Sequence, residues 1–197
     1  MNDQTASIGA ATIFSDRHTA YSFTSEPVSD EQLRQVYDLA KFTPTALNSQ
    51  PLRVTFVRSA GAKERLRPLL NEVNRAKSDS APVVAILAAD TNFHEHLPVV
   101  SPQAAGAKER FAANEQRRAA MAINNAWLQA GGFILAVRAV GLDAGPMGGV
   151  NAAGIDQEFF PGSPLRTIMV VNIGHVAEGG ILPRNPRLGF DEAVTLA

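Results

Sequence analysis

The chain has 197 residues, of which 45% are hydrophobic and 19% are charged, and its formal net charge is −1. These values predict one globular domain over residues 1–197. Because no run of like charges occurs, we expect a small molecule or a second subunit as partner, and neither nucleic acid nor a membrane. The absence of cysteine excludes disulfides and thiolate chemistry within the chain. Residues 1–14 lack the pattern of a secretory signal, so we expect a cytoplasmic protein.

The first candidate for ligand binding is the segment Arg17-His18-Thr19, which places a cation and a hydroxyl two residues apart. Guanidinium and hydroxyl donors can hold an anion if the segment is extended, and an exposed arm is the alternative. A helix is then predicted from Asp30 to about Phe42, because Ser29 and Gln32 form a capping box in front of helically spaced apolar residues.

The loop Pro44-Thr45-Ala46-Leu47-Asn48-Ser49-Gln50-Pro51 fits neither helical nor strand periodicity. Pro44 disfavours helical geometry at Thr43, and Pro51 favours extended geometry at Gln50. Its polar side chains offer several donors and acceptors, so the loop can grip a polar planar ligand, and a simple surface connection is the alternative. A strand follows from Leu52 to Arg58, where apolar residues alternate with polar ones.

Ser59 can cap a second helical stretch, which Pro68 divides into two pieces. The stretch ends with Asn74 and Lys77, which are three residues apart and therefore lie on one face of a turn. That pair can face a ligand or water. The unbroken apolar run from Val83 to Ala89 predicts a central strand that is covered on both faces.

Two histidines, His94 and His96, follow that strand, but no third metal ligand occurs at a recognised spacing. We therefore predict a surface loop over Phe93 to His96 and no metal site. The stretch from Leu97 to Lys108 lacks periodicity and predicts a long excursion over the surface.

One long helix or two are predicted from Glu109 to Val140, closed by Gly141. Alanines and glycines are spread around the part from 119 to 139, with large apolar residues such as Trp127 among them. A helix that is apolar on most sides must be buried on most sides. Since a soluble monomer rarely exposes a large apolar patch, we infer a homodimer, and a single-subunit core helix is the alternative.

The segment Gly145-Pro146-Met147-Gly148-Gly149 predicts a turn whose backbone can approach a ligand closely, although it lacks the spacing of a dinucleotide or phosphate loop. A helix is predicted from Ala152 to Phe159 and a buried strand from Thr167 to Ile173. The tail then brings Arg184 and Arg187 among prolines.

In their order and spacing these segments resemble the FMN-dependent nitroreductase family, from Arg17 nearly to the C-terminus. Arg17-His18-Thr19 resembles the family's Arg-x-Ser/Thr, and Pro44 to Pro51 resembles its Pro-Ser/Thr-x-x-Asn-x-Gln-Pro loop almost residue for residue. Asn74-x-x-Lys77 resembles its Asn/Lys pair, and Pro146-Met147-Gly148-Gly149 resembles its glycine loop beside the flavin. Arg187, with Arg184 as companion, resembles its C-terminal phosphate ligand.

The resemblance implies an α+β, nitroreductase-like fold with a mixed central sheet flanked by helices, in an intertwined homodimer with FMN at the interface. Lys77 is the implied catalytic residue, because a cation near the flavin favours its reduction. The residues that the resemblance implies as cofactor-binding are Arg17, His18, Thr19, Pro44, Thr45, Ala46, Leu47, Asn48, Gln50, Asn74, Lys77, Pro146, Met147, Gly148, Gly149, Arg184 and Arg187.

The implied activity is an oxidoreduction in which NADH or NADPH reduces FMN and an acceptor then takes the electrons by a ping-pong route. Two segments, 141–147 and 186–190, are similar to the family's malonic semialdehyde reductase branch, which implies a small aldehyde as acceptor. Nitroaromatics or quinones are the alternative acceptors, and a flavin-binding dimer without turnover is a further alternative. The chain departs from its relatives at Tyr21, where a basic residue is common, and at Gly148, where some relatives have an acidic one.

Overall fold

The centre of the protein is a four-stranded sheet. The computed structural model describes residues 9–197. Its strands are β1 (Leu52–Val57), β2 (Val83–Asp90), β3 (Asp143–Met147) and β4 (Leu165–Gly174), in the order β1-β2-β4-β3. Every neighbouring pair runs antiparallel. The α+β class is therefore confirmed, but the prediction of a mixed sheet was wrong.

The antiparallel arrangement follows from how the chain returns to the sheet. The last residue of β1, Val57, pairs with Val84 near the start of β2, so β2 begins at the end of the sheet where β1 stops. In β2 every residue is buried, as predicted. Its alternate side chains enter two different apolar clusters on the two faces of the sheet, with Leu87 in one and Ile86 in the other.

The described residues form eight α-helices. They are α1 (Asp30–Ala40), α2 (Ala60–Leu66), α3 (Glu72–Ser80), α4 (Leu97–Val100), α5 (Ala107–Ala112), α6 (Glu115–Ala139), α7 (Ala152–Phe159) and α8 (Phe190–Ala193). The predicted capping box of α1 is present, because Gln32 N donates to Ser29 Oγ at 3.1 Å and Ser29 N donates to Gln32 Oε1 at 2.9 Å. The division near Pro68 is also present as a break between α2 and α3.

The segment from Phe93 to Lys108 differs from the predicted surface loop and from the predicted long excursion over the surface. Phe93–His96 forms a 3₁₀ turn in which Phe93 is 0% and His94 4% exposed, and α4 and α5 follow. Phe93 packs edge-on against Phe111 with ring centroids 5.3 Å apart. These helices are too short to display a periodicity, and Pro98 and Pro102 occupy first-turn positions that tolerate proline.

Helix α6 is covered by its own chain on one face only. Its buried residues include Ala122, Ala126 and Phe133, and α1 and the sheet pack against them. On the uncovered side, Trp127 is 45% and Leu128 58% exposed. The helix ends as predicted, since Gly141 has a φ of +84°.

In length and composition α6 is the one described helix that could cross a membrane, although the core helix of a globular protein meets the same criterion. Its position beside the sheet is that of a core helix. A cytoplasmic location stays a prediction.

Gly132 lets α6 approach the segment that leads into the loop at Pro44. A Cβ atom added to Gly132 would lie 1.9 Å from Thr43 Oγ1 and 2.9 Å from Thr43 Cβ. Atoms cannot approach so closely, so only glycine permits this packing.

We expect Gly132→Ala to lower the free energy of unfolding by about 1–3 kcal/mol, because the added methyl group overpacks the contact with Thr43. Urea denaturation at one fixed protein concentration measures this change. The matched control is Gly61→Ala in α2, where no atom lies within 4 Å of the added Cβ. The control should be neutral or stabilising, and equal behaviour of the two variants would contradict the packing argument.

Candidate active site

The arm from Arg17 to Tyr21 is held against β3 by backbone contacts. Ala20 N donates to Ala144 O at 3.0 Å, and Tyr21 N donates to Gly180 O at 2.8 Å. A Cβ atom on Gly145 would lie 2.5 Å from Ala20 O, so a side chain at this position would push the arm away. Gly145 thus allows the backbone of the arm to pack directly against β3.

Beside this arm lies a cavity of about 400 Å³ that is rich in cations. Its lining includes seven residues with polar or aromatic side chains: Arg17, His18, Thr19, Tyr21, Arg184, Asn185 and Arg187. None of the described residues that line it is acidic. Three guanidinium groups around one opening create a positive potential that favours an anion.

Arg184 fastens the C-terminal tail to the N-terminal arm. Its Nη2 donates to the carbonyl oxygens of Ser15, at 2.6 Å, and Arg17, at 2.5 Å. Arg184 therefore braces one wall of the cavity, whereas the guanidinium of Arg187 bonds to carbonyl oxygens of its own neighbours in the exposed tail.

A second group of polar residues connects α3 to the residues that follow β3. Asn74 is 6% exposed, and its Nδ2 donates to Gly149 O at 3.0 Å. Lys77 Nζ donates to Asn74 Oδ1 at 3.3 Å. A Cβ atom on Gly149 would lie 2.8 Å from Asn71 Nδ2 and 3.1 Å from Asn74 Nδ2, so the absence of a side chain leaves room for these two amide groups.

A buried hydrogen bond fixes α3 to the middle of the sheet. Ser78 Oγ donates to Asn172 Oδ1 at 2.9 Å, and Asn172 Nδ2 lies 3.7 Å from the sulfur of Met147. Ser78 and Asn172 are 6% and 0% exposed. The side chain of Met147 is thus part of the core.

The predicted turn over Gly145 to Gly149 was wrong in its first half. Gly145, Pro146 and Met147 form the end of β3, and only Gly148 and Gly149 leave the strand. Proline is tolerated there because β3 is an edge strand and needs no donor on its outer side.

Tyr21 joins the two groups into one continuous site. Its side chain lines the cationic cavity, and the nitrogen of Lys77 lies 4.8 Å from the centre of its ring. The structure therefore brings together the arm, the arginines of the tail, the Asn74–Lys77 pair and Gly149.

The loop from Pro44 to Pro51 has an unusual backbone. Leu47, Asn48 and Gln50 have φ angles of 56°, 49° and 42°, in the left-handed region that non-glycine residues rarely occupy. The extended geometry expected at Gln50 in front of Pro51 was therefore wrong. Each non-glycine residue in the left-handed region costs about 1–3 kcal/mol and is often found at a ligand-binding site. Within the loop, Gln50 N donates to Thr45 Oγ1 at 3.2 Å.

Helix α6 holds this loop in place through two buried amide side chains. Asn125 Oδ1 accepts from Ala46 N at 2.7 Å, and Gln129 Oε1 accepts from Leu52 N at 2.9 Å. Asn48 Nδ2 also donates to Val100 O at 2.7 Å. The strained loop is therefore supported from two sides.

Within one chain, the loop from Pro44 to Pro51 lies away from the Lys77 group and from the cationic cavity. The loop precedes β1, while Gly148 follows β3, and these strands form opposite edges of the sheet, roughly 14 Å apart. No hydrogen bond between the described residues connects the loop with the Lys77 group or with the cationic cavity.

Comparison with known proteins gives this arrangement its context. Residues 15–175 match the model of the Nitroreductase family. The chain belongs to the nitroreductase family. A relative from Leptothrix cholodnii, provisionally named NADH dehydrogenase/NAD(P)H nitroreductase, is 51% identical over 181 residues, 92% of each chain. A relative of the same provisional name from Streptomyces coelicolor is 53% identical over 192 residues, 98% of this chain and 95% of the other.

A solved structure has the same fold. The crystal structure of a provisionally named nitroreductase from Exiguobacterium sibiricum, in complex with FMN, superposes with a TM-score of 0.83. It shares 21% sequence identity and covers 94% of this chain and 95% of that chain. The predicted nitroreductase-like fold is therefore confirmed.

The sequence analysis did not identify the buried polar residues whose hydrogen bonds hold the loop and α3 in place. Asn125 and Gln129 lie four residues apart in α6 among alanines and large apolar residues, with Asn124 beside them, and Asn172 lies in an apolar strand. Buried polar side chains need hydrogen-bond partners, so their presence in such surroundings was a usable signal. Sequence spacing could not identify their partners, since Ser78 and Asn172 are 94 residues apart.

The two histidines do not form a metal site with other residues in the described range 9–197, which contains no cluster of three or more potential ligands. His94 is buried, contrary to the predicted loop, and its Nδ1 has no hydrogen-bond partner among the described residues. Burial lowers the pKa of His94. The positive charges of Arg118 in α6 and, less strongly, of Lys108 in α5 lower this pKa further, whereas the adjacent Glu95 raises it.

Because the folded pKa of His94 lies below its usual value, the unfolded chain takes up this proton first as the pH falls. We therefore expect the free energy of unfolding to decrease between about pH 7.5 and pH 5.5, and the decrease to be smaller in His94→Gln. Denaturant unfolding at several pH values measures it. The control is His96→Gln, whose histidine side chain is 57% exposed. Equal pH dependence in the wild type and His94→Gln would refute the assignment.

Proposed function

We propose that this protein is an FMN-dependent NAD(P)H oxidoreductase. The observation that carries the proposal is the junction at Tyr21, where a cavity with three arginines adjoins the hydrogen-bonded group of Lys77, Asn74 and Gly149. A ligand with an anionic tail and a polar planar ring matches this pair of environments.

The cationic cavity fits the phosphate of FMN. Arg17 and Arg187 supply charge, and Thr19 supplies a hydroxyl donor. A dianion gains charge-assisted hydrogen bonds from such groups, and the lack of an acidic side chain among the described lining residues avoids repulsion. His18 and Arg184 lie at the same opening, and Arg184 acts through its brace on the arm.

The group around Lys77 fits the ring of FMN. Lys77 supplies a positive charge, and its nitrogen donates to Asn74 Oδ1 at 3.3 Å. Gly148 is exposed, with no atom within 4 Å of its Cβ position, so a flat ring can approach the backbone. When bound, FMN would supply the exchange of electrons and hydride between the two substrates.

We further propose a homodimer in which each site takes its loop from the other subunit. The strained loop lies away from the Lys77 group of its own chain, so a second copy would have to supply Thr45, Leu47 and Asn48 to the ring. The exposed apolar side of α6 supports a partner there. The tail exposes three large apolar side chains, Leu188 by 71%, Phe190 by 62% and Leu196 by 84%, which supports packing of the tail against the second chain.

For the electron acceptor we propose a broad range of compounds rather than one substrate. The names of the relatives, which refer to NAD(P)H and nitroreduction, support a broad acceptor range that includes nitroaromatics and quinones. Malonic semialdehyde stays a narrower prediction, and no described side chain favours it over the broader range. Turnover of the three acceptor classes side by side, with NADH and with NADPH, separates these possibilities.

The proposal predicts a yellow protein with an FMN absorption band that bleaches when NADH or NADPH is added without oxygen. Recovery of the band on addition of an acceptor would demonstrate the second half-reaction. A protein that remains colourless after incubation with FMN would contradict the proposed function. A yellow protein that neither nucleotide reduces would favour the non-catalytic flavin-binding dimer.

Arg17→Gln tests the orientation of the ligand. We expect this variant to bind FMN about ten- to a hundredfold more weakly, because it loses a hydrogen bond between charged groups. Its affinity for riboflavin, which lacks the phosphate, should change little.

Titration calorimetry measures both affinities. The matched control is Arg65→Gln, which removes an exposed arginine that pairs with Glu158 in α7. If Arg17→Gln weakened the binding of riboflavin as much as the binding of FMN, the phosphate would not lie in this cavity.

A further inference from the structure

We propose that Tyr21 is a positioning residue that holds the ammonium group of Lys77 at the junction between the cationic cavity and the flavin ring. The inference rests on the proposed function. It assigns to an aromatic side chain the task of fixing where the positive charge sits.

The geometry of the pair is that of a cation–π contact. The nitrogen of Lys77 lies 4.8 Å from the centre of the Tyr21 ring, within the range at which the ring face attracts a cation. Lys77 is half-buried, while Tyr21 is 37% exposed and lines the cavity. The ring therefore covers the ammonium group on the side of the cavity.

Few other groups constrain this charge. In residues 9–197 no carboxylate oxygen lies within 4.0 Å of the Lys77 nitrogen, since the ion pairs of that range involve other residues. Its side-chain hydrogen bond goes to Asn74 Oδ1 at 3.3 Å, which is long. A four-carbon side chain with one long hydrogen bond samples several positions unless another contact selects one.

Both partners of the contact are fixed by their backbones. Tyr21 N bonds to Gly180 O, and Ala20 pairs with Ile181, so the base of the ring is held between the arm and the tail. Lys77 precedes Ser78, whose buried hydrogen bond to Asn172 anchors α3. The side chains thus meet because two rigid elements lie at a fixed separation.

The functional consequence concerns the two redox states of the flavin. Reduction adds negative charge to the ring, so a cation held beside it strengthens binding of the reduced form more than of the oxidised form. Loss of the Tyr21 ring frees the ammonium group and should reduce that difference. Tyr21→Leu removes the ring but keeps an apolar side chain, and Tyr21→Phe removes only the hydroxyl.

The experiment measures the dissociation constants of oxidised and reduced FMN, the latter without oxygen, for the wild type, Tyr21→Leu, Tyr21→Phe, Lys77→Met and the double variant Tyr21→Leu/Lys77→Met. We expect Tyr21→Leu to lower the preference for reduced FMN about two- to fivefold, the range of an exposed cation–π contact. Tyr21→Phe, which keeps the ring, should retain the wild-type preference for reduced FMN. In the Lys77→Met background, Tyr21→Leu should cause no further change.

Phe159→Leu is a control that removes a ring lying 5.1 Å from another cation, Arg65, outside the site. It should leave the preference for reduced FMN unchanged. A change as large as that of Tyr21→Leu would overturn the inference, because a general effect of ring removal would then explain both.

Two further outcomes would overturn the inference alone. In the first, Lys77→Met lowers the preference but Tyr21→Leu does not. In the second, the effects of the two substitutions add in the double variant, so that Tyr21 acts independently of Lys77. If the wild type binds neither form of FMN, the proposed function fails, and the inference fails with it.

Discussion

The hydrogen bond between Ser78 and Asn172 is the contact on which the candidate site depends. It joins α3 to the central strand β4 in a place where neither side chain reaches solvent. Loss of one partner would leave a buried polar group unsatisfied, which costs about 1–3 kcal/mol. Because Ser78 follows Lys77 directly, this bond also sets the height of Lys77 above the sheet.

Two glycines complete the geometry that this bond begins. Gly145 lets the arm with Arg17 approach β3, and Gly149 leaves room for the side chains of Asn71 and Asn74. Both were interpreted from sequence as places where a ligand comes close to the backbone. In the structure each is a place where another part of the chain comes close, and only Gly148 is left open.

Local features of the fold were predictable because their causes are local. The capping box at Ser29, the apolar run of β2 and the helix end at Gly141 each depend on a few adjacent residues, and all three are confirmed. The antiparallel strand order and the burial of His94 depend on contacts between distant segments, so the predictions of a mixed sheet and of a surface loop at His94 were wrong. No pattern of adjacent residues encodes them.

The candidate site showed the same division. The chemical types of Arg17, Asn74 and Lys77 were readable from sequence, and the structure brings their segments together. The supports in α6, Asn125 and Gln129, were not identified, because a polar residue does not reveal its distant partner. How the loop at Asn48 meets a ligand depends on the proposed second subunit, and the assignment of its residues to the cofactor stays a prediction.

In the proposed homodimer each site takes the arm and Lys77 from one chain and the strained loop from the other. A mixed dimer with two different affinity tags tests it. One chain carries Arg17→Gln and Lys77→Met, and the other carries Asn48→Ala and Thr45→Ala in the loop. If the site is shared, the mixed dimer has one intact site and thus about half of the wild-type NAD(P)H oxidation per dimer, while each pure variant has little. A mixed dimer no more active than the pure variants would contradict the shared site.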